Sequence, residues 1–160
     1  TVSTGSRAIC FAKRTLEIMG RLGLGQKFLE KGITWNRGRV FHGEREAYHF
    51  DLLPEQGHEY PAFVNLQQYY AEQWLVEACE ATGRVELRWK HKVTAIENRA
   101  DGARLTVETP AGDYTLHAEW LLAADGARSP IREALRLPFT GQVFRDRFLI
   151  ADVVMQADFP

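Results

Sequence analysis

Apolar residues recur along the chain at two spacings, and each spacing predicts its own kind of element. Leu16, Met19 and Leu22 fall on one side of a helical pattern that runs from about Ile9 to Leu22, and Gly23 is a plausible stop. A shorter helix is expected from about Gln26 to Glu30, ending at Gly32. Ala71, Leu75 and Ala78, flanked by Trp74 and Cys79, form the apolar stripe of a helix over 68–82. Glu72, Gln73, Glu77 and Glu80 lie on its other side, and Gly83 ends it. Between these helices, Ile33 to His42 reads as extended, Glu44 to Tyr60 as a polar, irregular stretch that could cover a site or simply be solvated, and Phe63 to Leu66 as a short strand.

Beyond residue 84 the period changes to two. Val85, Leu87 and Trp89 alternate as a strand would, and Val93–Glu97, Leu105–Thr109 and Tyr114–Ala118 predict three more. Asp101-Gly102 and Pro110-Ala111-Gly112-Asp113 supply turns between them. Trp120 to Ala124 is an unbroken apolar run, the pattern of a strand covered on both faces. Asp125-Gly126 breaks that run, and Ser129-Pro130 reads as N-cap and first residue of a helix carrying Ile131, Leu135 and Leu137. Its third helical position is Arg132, so no capping box forms. Phe148 to Met155 is a final strand pattern. Helices alternating with strands argue an α/β fold with an inserted β-meander.

Composition narrows the function classes. The 160 residues are 45% hydrophobic and 26% charged, with a formal net charge of −1, as expected of one soluble globular unit. That balance gives no reason to propose nucleic acid or an anionic membrane as partner. No apolar run approaches the ~20 residues of a membrane span, and no signal-peptide pattern opens at Thr1. Cys10 and Cys79 suggest no disulfide framework, which makes a reduced cytoplasmic setting the default. The five histidines show no metal-binding spacing. Gly20, Gly23 and Gly25 follow a helix rather than a strand, so they read as helix punctuation and not as a nucleotide loop.

The candidate chemistry gathers at residues 124–132. An aspartate at the end of an apolar strand, beside a helix start, can meet sugar hydroxyls or phosphates, and Gly126 permits a sharp turn or a close approach. An apolar strand followed by Asp-Gly-x-x-Ser-x-x-Arg, met here by Asp125, Gly126, Ser129 and Arg132, resembles the motif of FAD-dependent aromatic hydroxylases, the group A flavoprotein monooxygenases. The resemblance extends along nearly the whole chain. It implies that Arg7 lies along the FAD phosphates, a job suited to its fixed fork of donors. Gln68-Tyr69-Tyr70-Ala71-Glu72-Gln73-Trp74-Leu75 is similar to the family's Gln-x-x-x-Glu-x-x-Leu helix, which implies that Gln68 reaches the flavin cofactor. Tyr69 departs from the proline that relatives often carry. Lys92 to Ile96 looks like the strand whose backbone contacts the adenine end, which singles out Val93. On the residues alone, Arg7 could be solvated, Gln68 could bond its own backbone, and Val93 could be plain core.

The resemblance implies an incomplete FAD-binding Rossmann-like domain over residues 1–140. Residues 141–160 would begin a mixed-sheet substrate domain. The opening Gly-x-Gly-x-x-Gly strand and the later Gly-Asp motif of the family are not in this sequence, so an internal fragment of a longer enzyme is expected. It implies FAD as cofactor, NAD(P)H as co-substrate, and hydroxylation of a phenolic or similar aromatic molecule with O2. The flavin would carry the chemistry while the protein positions it and excludes water, and no catalytic residue is singled out. Homo-oligomerisation is possible. A cofactor-free binding module that retains the fold remnant is the alternative. So, within the FAD superfamily, is a halogenase or an unsaturated-bond reductase.

Overall fold

The computed structural model of the chain describes residues 8–147, 154 and 156, which fall into two compact units divided between Trp89 and Lys90. Arg7 and nearly all of the expected strand Phe148–Met155 lie outside the described residues.

The first unit begins with β1 (Cys10–Ala12), α1 (Lys13–Arg21) and α2 (Gly25–Lys31). The helical pattern therefore starts at Lys13, because residues 10–12 are taken up by a strand. The turn after α1 follows from its glycine. Gly23 sits at φ 76°, and the N–H groups of Gly23 and Leu24 return to the carbonyls of Gly20 and Met19. This is the Schellman arrangement that satisfies the last carbonyls of a helix. β2 (Ile33–Trp35) and β3 (Arg37–His42) then occupy the extended stretch.

The stretch expected to be irregular contains β4 (Arg45–Asp51), antiparallel to β3. Its polar composition hides it, since neither strand buries a residue. Backbone pairing and exposed side-chain bonds, such as Arg37 Nε to Asp51 Oδ1 at 3.0 Å, define the hairpin instead.

β5 (Phe63–Asn65) runs between β1 and β2, antiparallel to both. α3 (Gln68–Ala81) follows, and Gly83 at φ 62° lies just beyond its end. Leu16, Leu24, Phe28, Tyr60, Val64, Leu66 and Ala71 form the core. Phe28 is fully buried, with edge contacts to Phe11 at 5.1 Å and Trp74 at 5.4 Å between ring centres. Burying such a ring contributes about 1.5–3 kcal/mol.

The second unit is a meander of β6 (Lys92–Arg99), β7 (Gly102–Glu108) and β8 (Tyr114–Ala118), with the turns where the sequence placed them. Leu105 and Val107 on the central strand are its buried residues. Thr94 is an extra residue in β6, because Val93 pairs with Val107 and Ala95 with Thr106. α4 (Pro130–Ala134) packs against β6, with Val93, Ile96, Ile131 and Ala134 around the crevice between them.

Two expected strands are corrected. Residues 85–88 take no part in a sheet, and Trp120–Ala124 is not a strand either. Trp120 is 87% exposed and Leu122 94% exposed, the opposite of a doubly covered strand. An apolar run gives a segment the capacity to be buried, but a strand exists only where a neighbour pairs its N–H and C=O groups. Neither segment joins a strand ladder among the described residues. Every strand pairing among the described residues is antiparallel.

Candidate functional site

The Asp125–Arg132 turn is built by hydrogen bonds onto the start of α4. Ser129 is the N-cap, and its Oγ accepts from the Arg132 N–H at 3.0 Å. Pro130 takes the first helical position, where a missing N–H costs nothing. Asp125 reaches forward, and its Oδ2 accepts from the Ile131 N–H at 3.2 Å. The Ser129 hydroxyl also bonds the Asp125 carboxylate, so this one buried hydroxyl donates and accepts. Two N–H groups that a helix start leaves without intrahelical partners are thereby satisfied.

The same contacts set the charge. The Ser129 hydroxyl above all holds the Asp125 carboxyl below its ordinary range; burial opposes it, and the Ile131 N–H, its own backbone and the Arg132 guanidinium add to the lowering. Arg132 also closes the turn. Its Nη1 donates to the Ala127 carbonyl at 2.9 Å, and its guanidinium lies 4.3 Å from the Phe139 ring centre. Gly126, at φ 83°, occupies a region that disfavours any side chain, and no atom lies within 4 Å of the place a Cβ would take.

Val93 belongs to the same unit as this turn. It is half-buried on β6, an edge strand of the meander among the described residues, beside the crevice shared with α4. An edge strand leaves alternate N–H and C=O groups facing away from its partner. Gln68 is the first residue of α3 in the other unit. Its Nε2 donates to Glu72 Oε1 at 3.0 Å in part-buried surroundings. Tyr69, at the position of the departure, packs against Tyr70 with 4.4 Å between ring centres. Arg7 lies outside the described residues.

Sequence reasoning placed Glu72 on the helix side opposite the apolar stripe and missed its bond to Gln68, although Gln followed four residues later by Glu is a readable signal. The stretch read as able to cover a site borders an open cleft in the first unit, whose walls include Asn36, Arg37, Asp51, His58 and Tyr60. Among the described residues, none of the expected site residues lines that cleft.

Among the described residues no group of acidic, histidine or cysteine side chains could hold a metal ion. The turn suits a different ligand. The Asp125 carboxylate keeps acceptor capacity beside its bonds to Ser129, Ile131 and its own backbone, the Gly126 backbone is open, and Arg128 is exposed. Acceptor, backbone and cation together fit the hydroxyls and phosphates of a dinucleotide.

A family model described as an FAD binding domain matches residues 1–160. The chain belongs to this family. Para-nitrophenol 4-monooxygenase of Pseudomonas sp. (strain WBC-3) is 30% identical over 157 residues, covering 95% of this chain and 38% of the relative. Pentachlorophenol 4-monooxygenase of Sphingobium chlorophenolicum is 27% identical, covering 94% of this chain and 28% of the relative. The crystal structure of p-nitrophenol 4-monooxygenase from Pseudomonas putida superposes with a TM-score of 0.82 at 30% identity, over 89% of this chain and 37% of that one. The chain therefore spans about a third of the length of these relatives. Within that third it holds the Asp-Gly turn and the Gln-Glu pair.

Proposed function

We propose that the chain is part of an FAD-dependent monooxygenase that hydroxylates a phenolic or similar aromatic substrate with NAD(P)H and O2. The observation that carries this reading is the Asp125–Gly126 turn. It holds an ionised carboxylate and an open backbone together at the start of α4, in a chain that belongs to the FAD binding domain family. The names of the two curated relatives support the substrate class, since each is a monooxygenase of a phenol. Residues 1–140 would serve the cofactor, and residues 141–160 would begin the part that meets substrate.

The bound flavin would supply the redox chemistry. On this reading, Asp125 accepts from cofactor hydroxyls and Gly126 lets the backbone approach. Val93 contributes main-chain groups from an edge strand, and Gln68 and Arg7 contribute polar side-chain contacts. The test uses the whole enzyme that contains these residues. Purified protein should carry FAD and oxidise NADH or NADPH faster when a phenol is added, with a hydroxylated product by mass spectrometry. Colourless protein that takes up no added FAD would exclude the reading and leave the cofactor-free binding module.

A further inference from the structure

Gln68 begins α3, and its amide is tied to its own helix. The amide nitrogen donates to Glu72 Oε1 at 3.0 Å, one helical turn on. The chain has two other glutamine–glutamate pairs at this spacing, Gln26–Glu30 and Gln73–Glu77, and both lie on exposed surface. The Gln68–Glu72 pair is part-buried. Screening by water is weaker there, and an amide held in one orientation keeps it.

A primary amide has two unlike ends: the NH2 donates and the oxygen accepts. A carboxylate only accepts. With Glu72 beside it, the Gln68 amide must turn its NH2 group inward along the helix, which leaves its oxygen facing away. The end of Gln68 offered to a ligand is thus decided by Glu72, not by Gln68. We propose that Glu72 is a positioning residue: it fixes the Gln68 amide so that an acceptor oxygen meets a hydroxyl or ring N–H donor of bound FAD. This rests on the reading that Gln68 faces the cofactor.

The orientation can be relaxed or reversed by substitution at position 72. Glu72→Gln keeps the shape but can donate as well as accept, so both amide orientations become available. The competent fraction falls to about half, and the apparent Kd for FAD rises about twofold. Glu72→Lys presents only donors, which turns the Gln68 oxygen inward. The loss should then approach that of Gln68→Ala, about tenfold for one hydrogen bond.

The experiment titrates FAD into the apo form of the whole enzyme, followed by flavin fluorescence. It compares wild type, Gln68→Ala, Glu72→Gln and Glu72→Lys, and each Glu72 variant in the Gln68→Ala background. The expected order of affinity is wild type, then Glu72→Gln, then Glu72→Lys level with Gln68→Ala. Both Glu72 effects should vanish once Gln68 is alanine, because Glu72 acts through it. Thermal melts of the apo forms show whether Glu72→Lys folds, and Glu72→Gln carries the test if it does not. Equal losses with and without Gln68 would overturn the positioning role. So would wild-type affinity in both Glu72 variants while Gln68→Ala binds weakly. Wild-type affinity in Gln68→Ala would instead remove Gln68 from the cofactor site, and the proposal with it.

Discussion

Asp125 is an exposed carboxylate whose charge is held by three hydrogen-bonding neighbours close in sequence, Ser129, Ile131 and its own backbone, with Arg132 adding attraction. Its folded pKa is depressed below 3.8, so the unfolded chain binds the proton more readily. The contribution to stability is then complete above the unfolded value and disappears as pH falls through the lower folded one. Replacing Ser129 with alanine removes the largest of these contacts. A carboxyl-carbon NMR titration should show the Asp125 midpoint moving up toward the ordinary range in Ser129→Ala. An unmoved midpoint would mean that the hydroxyl does not set the charge. In the whole enzyme, Asp125→Ala should weaken FAD binding roughly tenfold or more, the scale of a lost charge-assisted hydrogen bond. A titration with wild-type affinity would remove Asp125 from the cofactor site.

At the scale of elements, the glycines around α1 divide into two kinds. Gly23 serves the backbone, since its φ of 76° ends the helix and nothing lies near its missing Cβ. Gly20 and Gly25 serve packing, because a Cβ at either would run into the Tyr60 hydroxyl and ring. Tyr60 is buried in the core of the unit, so its ring shifts only at the expense of that packing. Gly20→Ala should therefore destabilise the protein. Overpacking costs roughly 1–3 kcal/mol, which offsets the ~1 kcal/mol of helix propensity that alanine adds. Adding Tyr60→Phe removes the nearest clashing atom and should recover part of the loss. Urea melts of the single and double variants measure this, and a Gly20→Ala protein as stable as wild type would show that the ring is not confined. The Schellman turn and the Tyr60 contact hold α1 and α2 at a fixed angle over Phe28, which β1 and α3 then cover.

At the scale of the whole molecule, apolar surface is left uncovered in the second unit. Trp120, Leu122, Phe139, Val143 and Phe144 are each more than 70% exposed. Surface of this kind drives association. The 160-residue chain by itself should exceed monomer mass in light scattering, and Trp120→Ser with Leu122→Ser should shift it toward monomer. A monomeric wild-type chain would show that these side chains find cover within it. In the whole FAD-binding enzyme the same residues are available to pack against other parts of the protein.

How much of this was readable in advance depended on the range of the interaction. Local signals were legible: Gly23, Gly32 and Gly83 at helix ends, Ser129-Pro130 opening α4, and Asp101-Gly102 turning the meander all act within a few residues of themselves. The motif at Asp125, Gly126, Ser129 and Arg132 was legible for the same reason, because the turn is closed by neighbours along the chain. Pairing between distant segments was not. β1 is a strand because Cys10 to Ala12 lie against β5, more than 50 residues on, and nothing in Cys-Phe-Ala says so. β4 is a strand because β3 pairs with it, although its own composition is that of a loop. Trp120–Ala124 has the composition of a buried strand and no strand partner among the described residues, so it forms no strand and leaves Trp120 and Leu122 exposed. The sequence alone determined where the helices end and where α3 and α4 begin, since those depend on φ, caps and short-range bonds. Tertiary structure alone decided which extended segments became strands, since that is settled by what stands beside a backbone in space.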